Sequence, residues 1–117
     1  MFIAAVIVSV LLAFIAASSA AMKLQRHPQV VAAINGTVGV PMERLPVLAM
    51  LELAGALGLI IGLWVTPIGV AAATGLFLYF LGAVIAHVRV GDTKGVRQPV
   101  LPLVLSVAAI ILLVVSG

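Results

Sequence analysis

The chain has 117 residues, 65% of them hydrophobic and 8% charged, with a mean hydropathy of +1.42. A soluble domain carries about a quarter of its residues as charge, so this composition points instead to one all-α integral membrane domain, with room for four spans of about 20 residues. The formal charge of +3 rests on six basic residues and there is no cysteine. That pattern signals membrane orientation rather than a nucleic-acid partner, excludes thiol chemistry and cysteine-held clusters, and leaves any redox role to a bound cofactor.

Residues 2–22 run without a charge as far as Lys23, long enough to cross a hydrocarbon layer of about 30 Å, and form the first predicted span. Ser18-Ser19-Ala20 resembles a signal-peptidase site, but the basic region that opens a signal peptide is lacking, so the segment is expected to stay in place. The connection from Lys23 to Leu45 is the long one. Pro28 suits a first helical turn, Val30, Val31 and Ile34 share a face, and Asn35-Gly36 supplies a stop, which predicts a short interfacial helix between spans one and two.

The second span is predicted over residues 46–65, opened by Pro46 and closed near Trp64, which suits the aromatic belt at a membrane surface. In the turn that follows, Thr66 is expected to cap the third span, residues 67–88, with Pro67 in its first turn. His87 and Arg89 mark its end. The loop Gly91-Asp92-Thr93-Lys94-Gly95 lacks the spacing of a phosphate-binding loop and reads as a plain hairpin connection. It leads to Pro99 and a fourth span over residues 99–116.

Among these elements Glu52 is the anomaly. It lies six residues past Pro46, about 9 Å along a helix at 1.5 Å per residue, and an ionisable group at depth costs roughly 2.5–3.5 kcal/mol on insertion scales. It should therefore face the bundle interior and find a partner. Antiparallel spans bring the ends of helices one and three to the same side, which makes Lys23 and His87 its candidates. Tyr79, about midway through span three and some 80° round the helix from His87, needs a partner for its hydroxyl.

Two readings are open. In the first, Lys23, Glu52, His87 and Tyr79 form a polar cluster that binds a ligand, with the aromatic pair Tyr79 and Phe80 lining a slot for a flat or lipid-like molecule. In the second, Lys23 is an interfacial anchor, Glu52 ties two helices together, and His87 merely ends a helix. Gly55, Gly58 and Gly62 fall on one stripe of helix two and predict close helix packing, within the monomer or between copies. Catalytic residues are not identifiable, no metal site is expected, and an enzymatic activity is not implied.

With Lys23, Gly39-Val40-Pro41, Glu52-Leu53-Ala54-Gly55 followed by Gly58 and Gly62, and His87 in place, the chain resembles the DoxX-like family of small four-helix membrane proteins over nearly its whole length. The resemblance implies a fold and a location, the inner membrane of a bacterium. It also implies a link to membrane redox complexes or to a hydrophobic ligand such as a quinone or lipid. The expected partners are the lipid bilayer and either a membrane protein or further copies of the chain. A small proton-coupled exporter is the alternative, although such exporters carry their glutamate in helix one; a structural subunit of a larger membrane assembly is a third reading.

Lys23, Arg26 and Arg44 fall between spans one and two, and Arg89, Lys94 and Arg97 between spans three and four. By the positive-inside rule both loops are cytoplasmic, and both termini and the Thr66-Pro67 turn are outside. Single cysteines placed at Thr37 and Lys94 should accordingly react with an impermeant thiol reagent only after the membrane is opened. Labelling of both from the outside of intact cells would reverse the assignment.

Overall fold

A computed structural model describes residues 2–25, 44–91 and 97–116. They form four helices and, among the described residues, no strand: α1 (Phe2–Leu24), α2 (Leu45–Ile61), α3 (Thr66–Arg89) and α4 (Arg97–Ser116). The predicted interfacial helix and most of both basic loops lie outside the described residues.

α1, α3 and the Pro99–Ser116 portion of α4 are each long and apolar enough to cross a membrane, while α2 is a shorter apolar helix. Its 17 residues rise about 26 Å at 1.5 Å per residue. It ends at Ile61 rather than Val65 because the chain tightens there: Leu63 and Trp64 donate to the carbonyls of Ile60 and Ile61, three residues back, in the closer winding that often finishes a helix. Val65 then takes an extended conformation, φ −125° and ψ 91°, and caps α3. Thr66 therefore sits inside the first turn and makes no side-chain cap, a departure from the expected arrangement.

The helices pack as a ring in which α1 meets α2 and α4, and α3 meets the same two. Phe2 and Ala5 of α1, Gly62 and Leu63 after α2, Thr66 of α3, and Leu113 and Ser116 of α4 line one small cavity. The bundle is thus antiparallel, with the start of α1 and the end of α4 beside the 62–65 turn.

The interior is built from small residues. Ala5, Ala13, Ala16 and Ala20 of α1, Ala49 and Ala56 of α2, Ala73 of α3 and Ala109 of α4 are buried, joined by Leu12, Leu59, Leu76, Phe80 and Leu113. Large side chains such as Phe14, Met50, Leu57, Leu78 and Ile111 point outward, as expected where the surrounding solvent is lipid and close backbone approach drives helix association. Trp64 is 80% exposed at the turn, where an interfacial ring would sit.

The seam between α2 and α3 is close-packed. A Cβ added to Gly62 would lie 2.1 Å from the Cα of Gly69, one added to Gly58 would lie 2.7 Å from the Cβ of Ala72, and one added to Gly55 would run into Leu76. This sets the register of the two helices, with Tyr79 facing Glu52 one turn further along. Gly82, by contrast, has nothing within 4 Å of such a Cβ. Gly62→Ala should therefore cost about 1–3 kcal/mol through overpacking against backbone, and Gly82→Ala should stay within about 0.5 kcal/mol. Thermal unfolding of the two variants in detergent checks this; equal midpoints would show that the seam can relax.

Candidate functional site

Lys23 stands one residue from the end of α1, with Ser19 one helical turn before it on the same face. Lys23 Nζ donates to Ser19 Oγ at 2.7 Å and to Glu52 Oε1 at 2.5 Å. Ser19 Oγ donates to the same Oε1 at 3.3 Å, and the Tyr79 hydroxyl donates to it at 3.2 Å. One carboxylate oxygen on α2 thus gathers donors from α1 and α3. The Lys23 ammonium also lies 5.8 Å from the centre of the Tyr79 ring, within reach of a cation–π attraction, and Tyr79 meets Phe80 edge to face with ring centres 5.1 Å apart.

Burial gives this knot its energetic weight. Glu52 is fully buried and Lys23 is 7% exposed, so both charges have left water and each is compensated chiefly by the other. The pair is formally neutral. It is also incomplete, because Glu52 Oε2 is buried without a hydrogen-bond partner. A carboxylate oxygen that accepts nothing in a low-dielectric interior is a cost, and every such group calls for an explanation.

Of the residues singled out in the sequence, Lys23, Glu52 and Tyr79 are brought together. His87 is buried near the end of α3, eight residues beyond Tyr79 and so about 12 Å further along the axis; it is not among the hydrogen-bond donors to Glu52. Both residues lie toward the same end of the bundle, but depth along the helix separates them. Ser19 joins Lys23, Glu52 and Tyr79 as a member that the sequence marks only by its spacing of four from Lys23. Ser9, mid-helix on α1, is fully buried, and its Oγ makes no hydrogen bond. Among the described residues no group of three or more His, Asp or Glu is placed to hold a metal ion.

The sequence profile of the DoxX-like family matches residues 7–109. The chain belongs to the DoxX-like family. The match runs from the first third of α1 into the second half of α4 and takes in every residue of the polar cluster. No curated protein and no solved structure matches the chain. Family and hydropathy together make this DoxX-like protein an integral membrane protein embedded in a lipid bilayer.

The geometry makes the cluster testable as a unit. Glu52→Ala leaves a buried ammonium unpaired and should cost about 3–5 kcal/mol. Adding Lys23→Ala should then cost much less than it does alone, a coupling of at least about 1 kcal/mol in a double-mutant cycle read from unfolding in detergent. Additive effects would show that Lys23 and Glu52 act separately.

Proposed function

We propose that this DoxX-like protein binds a hydrophobic small molecule, a lipid or a quinone, with the polar head of the ligand at the Lys23–Glu52–Tyr79 cluster. It would do so either alone or in support of a membrane redox partner. In this reading α2 is the fourth crossing, and the protein lies in the inner membrane of a bacterium with both termini outside. One observation carries the proposal: Glu52 is fully buried, one of its oxygens takes three donors, and the other takes none.

A purely structural tie through Oε1 would leave the second oxygen of the buried carboxylate unsatisfied at a cost, whereas a ligand donor at Oε2 removes that cost. Ligand holding is favoured over proton-coupled export because α1 carries no acidic residue, whereas such small exporters carry their glutamate in helix one.

Purification in mild detergent with native lipids retained, followed by organic extraction and mass spectrometry, tests the proposal. The wild type should carry an amphiphile in stoichiometric amount, and Glu52→Ala should lose it. Identical extracts from the two would remove the cluster as a ligand site.

A further inference from the structure

The proposed binding site can be taken one step further, to the chemistry of what it holds. We propose that the ligand is a neutral amphiphile whose head donates a hydrogen bond to Glu52 Oε2, as a hydroxyl does, and whose chain lies in the groove between α1 and α2. This rests on the reading that the cluster binds a hydrophobic molecule.

The head is argued from acceptor count and charge. Glu52 Oε1 already accepts from Ser19, Lys23 and Tyr79, whereas Oε2 is buried and accepts from nothing. The missing element is a donor. A head that only accepts, such as an ester or the ketones of an oxidised quinone, would set lone pair against lone pair and leave both groups unsatisfied, so of a quinone pair it is the hydroxyl-bearing quinol that fits. A charged head is disfavoured for a different reason. Lys23 and Glu52 cancel, so a further cation or anion would enter a buried, balanced site with no counter-charge and pay its own desolvation. A neutral hydroxyl meets both conditions.

The chain is argued from the groove. A cleft of about 390 Å³ runs between the two helices, lined by Val10, Ala13 and Ala17 of α1 and Leu53, Ala56 and Ile60 of α2 among others. Its lining comes nearest the polar cluster in the chain at Leu53, the residue after Glu52, and at Ala17, two before Ser19; Glu52 itself is fully buried and not part of that lining. The cleft spans eight residues of each helix, 10–17 and 53–60, about 10 Å end to end at a rise of 1.5 Å per residue. Alanines form its floor because Ala13 and Ala56 are buried, while its walls are apolar and open toward the lipid. An acyl or prenyl chain has the length, width and polarity to fill it.

Four ten-carbon probes that differ only in the head separate the possibilities: 1-decanol, methyl decanoate, decanoate and decylamine. Binding to the full chain in lipid nanodiscs is read by native mass spectrometry. Decanol should bind about tenfold or more tightly than the other three, the worth of one hydrogen bond to a charged group. Glu52→Gln should erase the preference of decanol over methyl decanoate, because an amide can present a donor to the ester. Ala17→Phe, which fills the groove and leaves the polar cluster in place, should weaken decanol about tenfold.

Equal binding of decanol and methyl decanoate, or a preference for either charged head, overturns the assignment of the head while leaving a hydrophobic ligand standing. Unchanged decanol binding in Ala17→Phe overturns the assignment of the groove. Binding of none of the four overturns the reading of the cluster as a ligand site, and this inference with it.

Discussion

An ionised side chain inside the hydrocarbon layer must be compensated within the protein, because lipid offers it neither water nor counter-charge. In this DoxX-like protein that constraint falls on Glu52, and the fold is arranged around its solution. The carboxylate is reached by an ammonium from the end of α1, a hydroxyl one turn earlier on the same helix, and a phenol from α3. Three helices are fastened at one depth, and lateral sliding of any of them would strand a buried charge.

The rest of the bundle allows those groups to meet. Lys23 has a long stem, but Tyr79 and Glu52 reach each other only because α2 and α3 lie close together. The closeness comes from glycine and alanine at the seam: Gly62 opposite Gly69, Gly58 opposite Ala72, and Gly55 under Leu76. Each contact excludes a side chain from the interface and so brings the backbones nearer. Small-residue packing and the polar knot are therefore two parts of one design, the first setting the distance at which the second can form.

Much of this was legible in the sequence, for physical reasons. Helices stand out because a membrane demands long apolar runs, and the carboxylate stands out because it interrupts one. Lys23 could be paired with Glu52 from depth alone, since antiparallel spans bring the end of one helix beside the start of the next. Tyr79 stands out in the sequence for a hydroxyl that needs a partner, but its place opposite Glu52 depends on the α2–α3 register, which the glycine stripe suggests without specifying. His87 lies toward the same end of the bundle as Lys23, two helical turns beyond Tyr79 on α3. The end of α2 at Ile61 was equally hidden, because the apolar run continues through Trp64 and only backbone geometry in the turn shows where the helix stops.

The account stands on Lys23 and Glu52 being bonded inside the membrane, and a crystal structure determined from a lipidic phase measures this directly. It should show Lys23 Nζ and the Tyr79 hydroxyl both within hydrogen-bond distance of one Glu52 oxygen, with the opposite oxygen facing bound density. Lys23 extended into the headgroup layer, with Glu52 bonded only to backbone or to nothing, would contradict it.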